Sequence, residues 1–304
     1  MGGSRGGAAA SRPRAGRGPA VLSIVRAGSW DAARDLARRL PRSAFRGQPD
    51  QRQVPATSLE RAAARLRYDA GQLHEVESRM LREVKRRARQ YLDHLPEEDD
   101  ELGWLALLRH HGAPTRLLDF TKSFYVAAWF AVEAADGDAA VWAVDLPRLR
   151  RAAERRLREH GFEQPPEEPW ELARELLARR DLGRGVVDVE PFRVDERVAA
   201  QQGMFLLALD PAASFVDNLA ATFEAAPFDL EGLPVHDYPG AAAEAALAAP
   251  VVEIVLPQQV HRSARDDLWR MNLTAASFFP GLDGFARSLL YFVGLQQPGE
   301  RWEK

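Results

Sequence analysis

Three stretches of this chain gather residues able to do chemistry. The first is Phe45-Arg46-Gly47-Gln48. It reads as a short strand closing on a glycine turn. Arg46 then projects a planar cation, of the kind that takes phosphate or carboxylate in two parallel bonds. A surface Arg beside a turn is the plain alternative. The second stretch runs from His110 to Ser123 and holds His110, His111, Thr115, Arg116, Asp119, Thr121 and Ser123 between two apolar helices. Polar groups set among buried elements cost about 1–3 kcal/mol each unless paired. This stretch is therefore either a site or an internal network in which Asp119 pairs with Arg116 or caps the next helix. A metal held by His110, His111 and Asp119 is disfavoured, because neighbouring side chains on a helix point apart. The third stretch puts Arg197, Gln201 and Gln202 just before Gly203 and an apolar strand. It is either part of the same site or a turn held by its own backbone.

Several chemistries are excluded outright. The chain has no cysteine, so disulfides, thiolate metal sites and cysteine nucleophiles are absent. No GxxxxGK[ST], HExxH or GxGxxG pattern occurs. The net charge of −3 offers no global basic field for nucleic acid. A local patch is still open over Lys85-Arg86-Arg87-Ala88-Arg89, either as a nucleic-acid surface or as a solvated helix face balanced by Glu75, Glu77 and Glu83.

The elements that must carry these stretches follow from patterning. Residues 1–18 read as a weakly basic arm. The apolar run that follows is too short for a secretory signal, and Gly6 stands where myristoylation wants a hydroxyl. No run of about 18 apolar residues suggests a membrane span, so a cytoplasmic chain with no membrane partner is expected. Helices are predicted near residues 31–40, over 58–94 with a break at Gly71, and over 104–111, with Gly112 as the terminal cap. Ser29 or Asp31 would cap the first of these, and Thr121, Lys122 or Ser123 the apolar helix after the second stretch. Strands are predicted at 43–46, 116–120, 139–144, 186–189, 204–209 and 251–256. Residues 146–182 read as a charged helical insertion broken at Pro165-Pro166, residues 210–249 as a peripheral loop region, and 296–304 as a tail. Strict βαβ alternation is missing, so the class is α+β, with a mixed sheet, a helical N-terminal half and a helical insertion.

Together the three stretches resemble the FRG domain, a family named for its Phe-Arg-Gly motif. Phe45-Arg46-Gly47-Gln48 matches the name. His110-His111-Gly112-Ala113-Pro114-Thr115-Arg116-Leu117-Leu118-Asp119-Phe120-Thr121 is similar to the central signature, and Ala127-Ala128-Trp129-Phe130-Ala131 to the helix after it. Arg197 to Phe205 and Phe279-Pro280-Gly281-Leu282-Asp283-Gly284 resemble the later signatures. The likeness spans roughly residues 20–295.

A second resemblance is to ADP-ribosyltransferases of the Arg–Ser–Glu type. It implies an ADP-ribosyltransferase-like fold and a small nucleotide ligand, with NAD as substrate and no required cofactor. It also fits a toxin or phage-defence effector. Carried over, Arg46 would hold the NAD phosphates, and Thr121, with Ser123, would brace the nicotinamide half. Gln201 or Gln202 stands where the family's Glu would be. A glutamine is neither a base nor a charge for an oxocarbenium ion, which leaves either binding without turnover or use of another acid such as Asp119. The implied catalytic group is Arg46, Thr121, Asp119 and Gln201. The implied ligand contacts are Phe45, Gly47, Gln48, His110, His111, Thr115, Arg116, Ser123, Arg197 and Gln202. A non-catalytic nucleic-acid or ligand-binding module and a metal-dependent hydrolase or nuclease are the alternatives.

Overall fold

The computed structural model describes residues 20–163, 166, 168–191 and 196–294; the expected arm at 1–18, the tail at 296–304 and Pro165 lie outside them. The strands are β1 (Leu22–Ala27), β2 (Ser43–Gln48), β3 (Leu117–Thr121), β4 (Ala139–Asp145), β5 (Val186–Val189), β6 (Gly203–Ala208), β7 (Val235–Tyr238) and β8 (Val251–Leu256). The helices of the first half are α1 (Trp30–Arg39), α2 (Ser58–Leu66), α3 (Leu73–Arg87), α4 (Glu101–His110) and α5 (Phe124–Glu133). Those that follow are α6 (Leu146–Glu159), α7 (Pro169–Leu177), α8 (Glu196–Ala200), α9 (Phe215–Thr222), α10 (Ala241–Ala246), α11 (His261–Arg270), α12 (Ala275–Phe278) and α13 (Leu282–Gly294). The class is α+β, as the pattern predicts. Among the described residues no helix is long and apolar enough to cross a membrane.

All eight strands form one sheet in the order β5-β6-β3-β2-β4-β8-β1-β7. It is mixed: β1 runs parallel to β7 and β8, and the remaining neighbours are antiparallel. Alternate side chains feed opposite faces. Ala139, Val141 and Ala143 of β4 join one core with α1, α5 and α11; Ala140, Trp142 and Val144 join another with Phe215 and Leu219 of α9. A third core packs Leu117, Phe205 and Leu207 beneath Leu102, Trp104 and Leu105 of α4.

Two segments differ from their sequence expectation. The run at 22–25, read only as too short for a signal, is the start of β1, an interior strand whose Val25 is fully buried. Residues 210–249, read as peripheral, supply α9, the sheet edge β7 and α10, and Phe215 and Leu219 are fully buried. Their Ala, Pro and Gly content hides a short amphipathic helix capped by Ser214.

The sheet has a seam. β2 pairs with β4 over six residues and β3 with β6 over five, yet β2 and β3 share only the pair Phe45–Thr121. Beyond that pair the strands part, and the polar stretches meet in the opening.

Candidate functional site

Each wall of the opening has a local cause. Gly47 lies inside β2 rather than in the turn the sequence suggests. A Cβ there would stand 2.1 Å from the Ala127 carbonyl oxygen and 2.6 Å from the Ala131 nitrogen, so only glycine admits α5 this close. α5 is capped by Ser123, whose hydroxyl accepts from the Val126 N–H, and it is apolar on nearly every side. α4 ends in a Schellman turn: Gly112 adopts φ +81, its N–H donates to the Arg109 carbonyl, and the Ala113 N–H donates to that of Leu108. That turn fixes the last helical residues, Arg109 and His110, over the end of β3.

The result is a cleft of about 400 Å³. Its polar lining is Arg46, Gln48, Arg109, His110, Asp119, Arg197 and Gln201; its apolar lining includes Phe45, Phe120, Val126, Ala127, Phe130 and Phe205. Volume and lining are those of a small-molecule site.

Arginine chemistry dominates the polar lining. Arg109 docks the Nε–Nη2 edge of its guanidinium on Asp119 Oδ2, with Nε at 2.8 Å. Arg46 Nη1 donates to the Asp119 carbonyl at 2.7 Å and lies 3.9 Å from its carboxylate. The Nε of Arg46 is buried and has no hydrogen-bond partner among the described residues. Burial pushes Arg46 down to about 10, against the pull of Asp119 and with repulsion from Arg109 and Arg61, so it remains protonated at neutral pH. Burial alone would raise Asp119; the Arg109 charge, its hydrogen bonds and Arg46 outweigh that and hold the carboxyl below its ordinary range. Two guanidiniums thus share one carboxylate, leaving a positive surplus.

The cleft gathers Phe45, Arg46, Gly47, Gln48, His110, Asp119, Thr121, Arg197 and Gln201. Thr121 is spent on the backbone: its hydroxyl donates to the Gln201 carbonyl at 2.7 Å and accepts from the Ser123 N–H at 3.0 Å. The Gln201 amide donates to the Phe278 carbonyl at 3.2 Å, and Arg197 stacks 4.6 Å above the Phe279 ring.

The remaining candidates stand elsewhere. His111 is exposed, its ring packed edge-on against His110. Gln202 makes the turn into β6 with φ +46. Thr115 is buried beside Ser58, whose hydroxyl accepts the Thr115 N–H. Arg116 pairs with Glu77 of α3, not with Asp119: the two positions are three apart on extended chain and face opposite ways. Among the described residues no group of three His, Asp or Glu could hold a metal ion, and the two histidines with Asp119 do not converge. The charged lining residue that the sequence reading passed over is Arg109; Phe130 and Phe205 entered only within the family signatures and not as site residues. Arg109 directly precedes His110-His111, and a cation in the last turn of a helix running into a strand that bears Asp119 was the available signal.

No curated protein and no solved structure matches the chain. Among family models, that of the FRG domain matches residues 41–139, which hold β2, α4, β3, α5 and the start of β4 and therefore most of the lining of the cleft. The chain carries an FRG domain.

Proposed function

We propose that the cleft binds a nucleotide through its phosphates, with an NAD-like dinucleotide as the ligand class. The observation that carries this reading is the under-bonded guanidinium of Arg46 at the wall of a cleft where it and Arg109 share one carboxylate. A guanidinium with donors to spare takes a phosphate oxygen in a charge-assisted hydrogen bond. The surplus charge favours a diphosphate over a neutral ligand, and the apolar part of the lining, Phe45, Val126 and Phe130, offers a bed for a ring. The resemblance to ADP-ribosyltransferases points the same way.

Transfer chemistry has weaker support. The Thr121 hydroxyl and the Gln201 amide are engaged with backbone carbonyls, and Asp119 is held ionised by Arg109. A carboxylate so paired is a poor base. Binding is therefore the reading the geometry favours, with turnover as the test's second channel.

The experiment titrates the purified chain with NAD and with ADP by calorimetry and follows nicotinamide release. Saturable binding is expected, weakened at least ten-fold (about 1.4 kcal/mol) in Arg46→Ala, with the fold checked by circular dichroism. Absence of binding by either nucleotide, or binding indifferent to Arg46→Ala, defeats the proposal.

A further inference from the structure

A second cavity, of about 280 Å³, lies between α3, the start of α4, the end of α7 and the entry to β3. Its floor is the buried pair of Arg116 and Glu77, 6% and 2% exposed. Glu77 is fully spent there. Oε1 accepts the Arg116 backbone N–H at 3.0 Å, and Oε2 accepts the guanidinium. The floor is thus neutral and offers a ligand no free carboxylate.

The wall above it is cationic. Arg116 Nη2 lies 3.1 Å from His74 Nδ1. A guanidinium only donates, so Nδ1 is the acceptor and the neutral ring carries its proton on Nε2. Burial and the Arg116 charge hold His74 below its ordinary value, which keeps the ring neutral. Its Nε2–H has no partner among the described residues and is available to an acceptor in the cavity. Lys85 is bonded to the Glu98 carbonyl at 2.7 Å and Arg180 to the Ser78 hydroxyl at 3.5 Å. Neither has a carboxylate within 4.0 Å among the described residues. Arg82 adds a third cation, 3.6 Å from Glu75, which Arg79 also shares. Against these stands Glu101, the one lining carboxylate that Arg116 does not occupy.

The basic run on α3 divides accordingly. Arg86 and Arg87 both pair with Glu83 on the outer surface, at 2.7 and 3.1 Å. Lys85 lines the cavity instead. The run does not make a continuous basic stripe; it places one cation at a half-open cavity.

We propose that this second cavity is an anion site that takes a phosphate-bearing small molecule, separate from the cleft at the sheet seam. Lys85, Arg180 and Arg82 supply charge, and His74 Nε2–H supplies a directed hydrogen bond from a ring oriented by the buried pair.

Pyrophosphate serves as the probe, titrated into the full chain by calorimetry at low salt. Binding is expected to persist in Arg46→Ala, which disables the cleft. In that Arg46→Ala background it is expected to weaken at least ten-fold when Lys85→Gln and Arg180→Gln are added. A matched control, Arg86→Gln with Arg87→Gln in the same background, removes the same charge from the outer surface of α3 and is expected to bind as Arg46→Ala alone does. The proposal is overturned if Arg46→Ala abolishes all pyrophosphate binding, if the cavity variant binds undiminished, or if the control loses as much as the cavity variant. The last result would mark diffuse surface attraction. Circular dichroism of each variant separates lost binding from lost fold.

Discussion

Arg46, Gly47 and Phe45 are neighbours with three separate tasks. Strand alternation turns Phe45 and Gly47 to the face covered by α5 and Arg46 away from it. Phe45 meets the Phe124 ring edge-on at 5.8 Å, and Gly47 lets the helix backbone lie against the strand. Arg46 is therefore held on a rigid segment that cannot drift, which preorganises its guanidinium for a ligand. Replacement of Gly47 by alanine tests this. The new methyl would meet backbone atoms of α5, which have no soft rotamer to yield. Overpacking of this kind costs about 1–3 kcal/mol or more. Urea unfolding of Gly47→Ala should show a loss of that size, and displacement of α5 should weaken any cleft ligand as well. An unchanged midpoint would mean that α5 does not depend on this contact.

At the level of elements, α3 is fastened to β3 by Glu77 and Arg116, a pair shut away from water and tied further to the Leu209 carbonyl at 3.3 Å. Removing one partner strands the other as a buried charge, at about 3–5 kcal/mol. Glu77→Gln should therefore destabilise the chain severely in chemical denaturation, and a loss below about 1 kcal/mol would show that water reaches Arg116. Sequence patterning located many of these elements. β5 and β8 fall on the expected residues because runs of Val, Ile and Leu, each broken by a single carboxylate (Asp188 and Glu253), stand between breakers and leave little choice. Gly112 ends α4 as predicted because only a residue tolerant of positive φ fits there. β7 escaped notice: it is an edge strand with Val235 and Asp237 exposed, so it lacks an apolar signature. Partner choice was illegible too. That Asp119 takes Arg109 while Arg116 takes Glu77 depends on which helices roof β3, and local sequence does not record that. Nor does it record the seam, since a single shared residue pair between β2 and β3 is a property of sheet order.

Across the whole molecule, the cross-strand register aligns Arg46, Trp142, Glu253 and Ile24 in one row on a single face of the sheet, from the seam toward the β7 edge. Glu253 is 2% exposed, has no ion pair among the described residues and keeps Oε1 without a hydrogen bond; Trp142 Nε1 beside it is equally unpartnered. Burial raises the Glu253 carboxyl from its ordinary 4.5 to about 7. The folded chain thus binds this proton more tightly than the unfolded chain does. The associated stability is fully present below pH 4.5, declines as pH rises and is gone above about 7, where the folded chain must hold a bare buried carboxylate. A shift of this size corresponds to about 3 kcal/mol at most. Glu253→Gln supplies a neutral group of the same shape. It should stabilise the fold at pH 8, by up to that amount, and change little at pH 4.5. Urea titrations of both chains at the two pH values isolate this one group, because every other titration is common to them. A difference between the chains that does not grow with pH would mean that the carboxylate finds a partner or water when it ionises, and the row from Arg46 to Ile24 would then be a hydrated polar seam rather than a dry one.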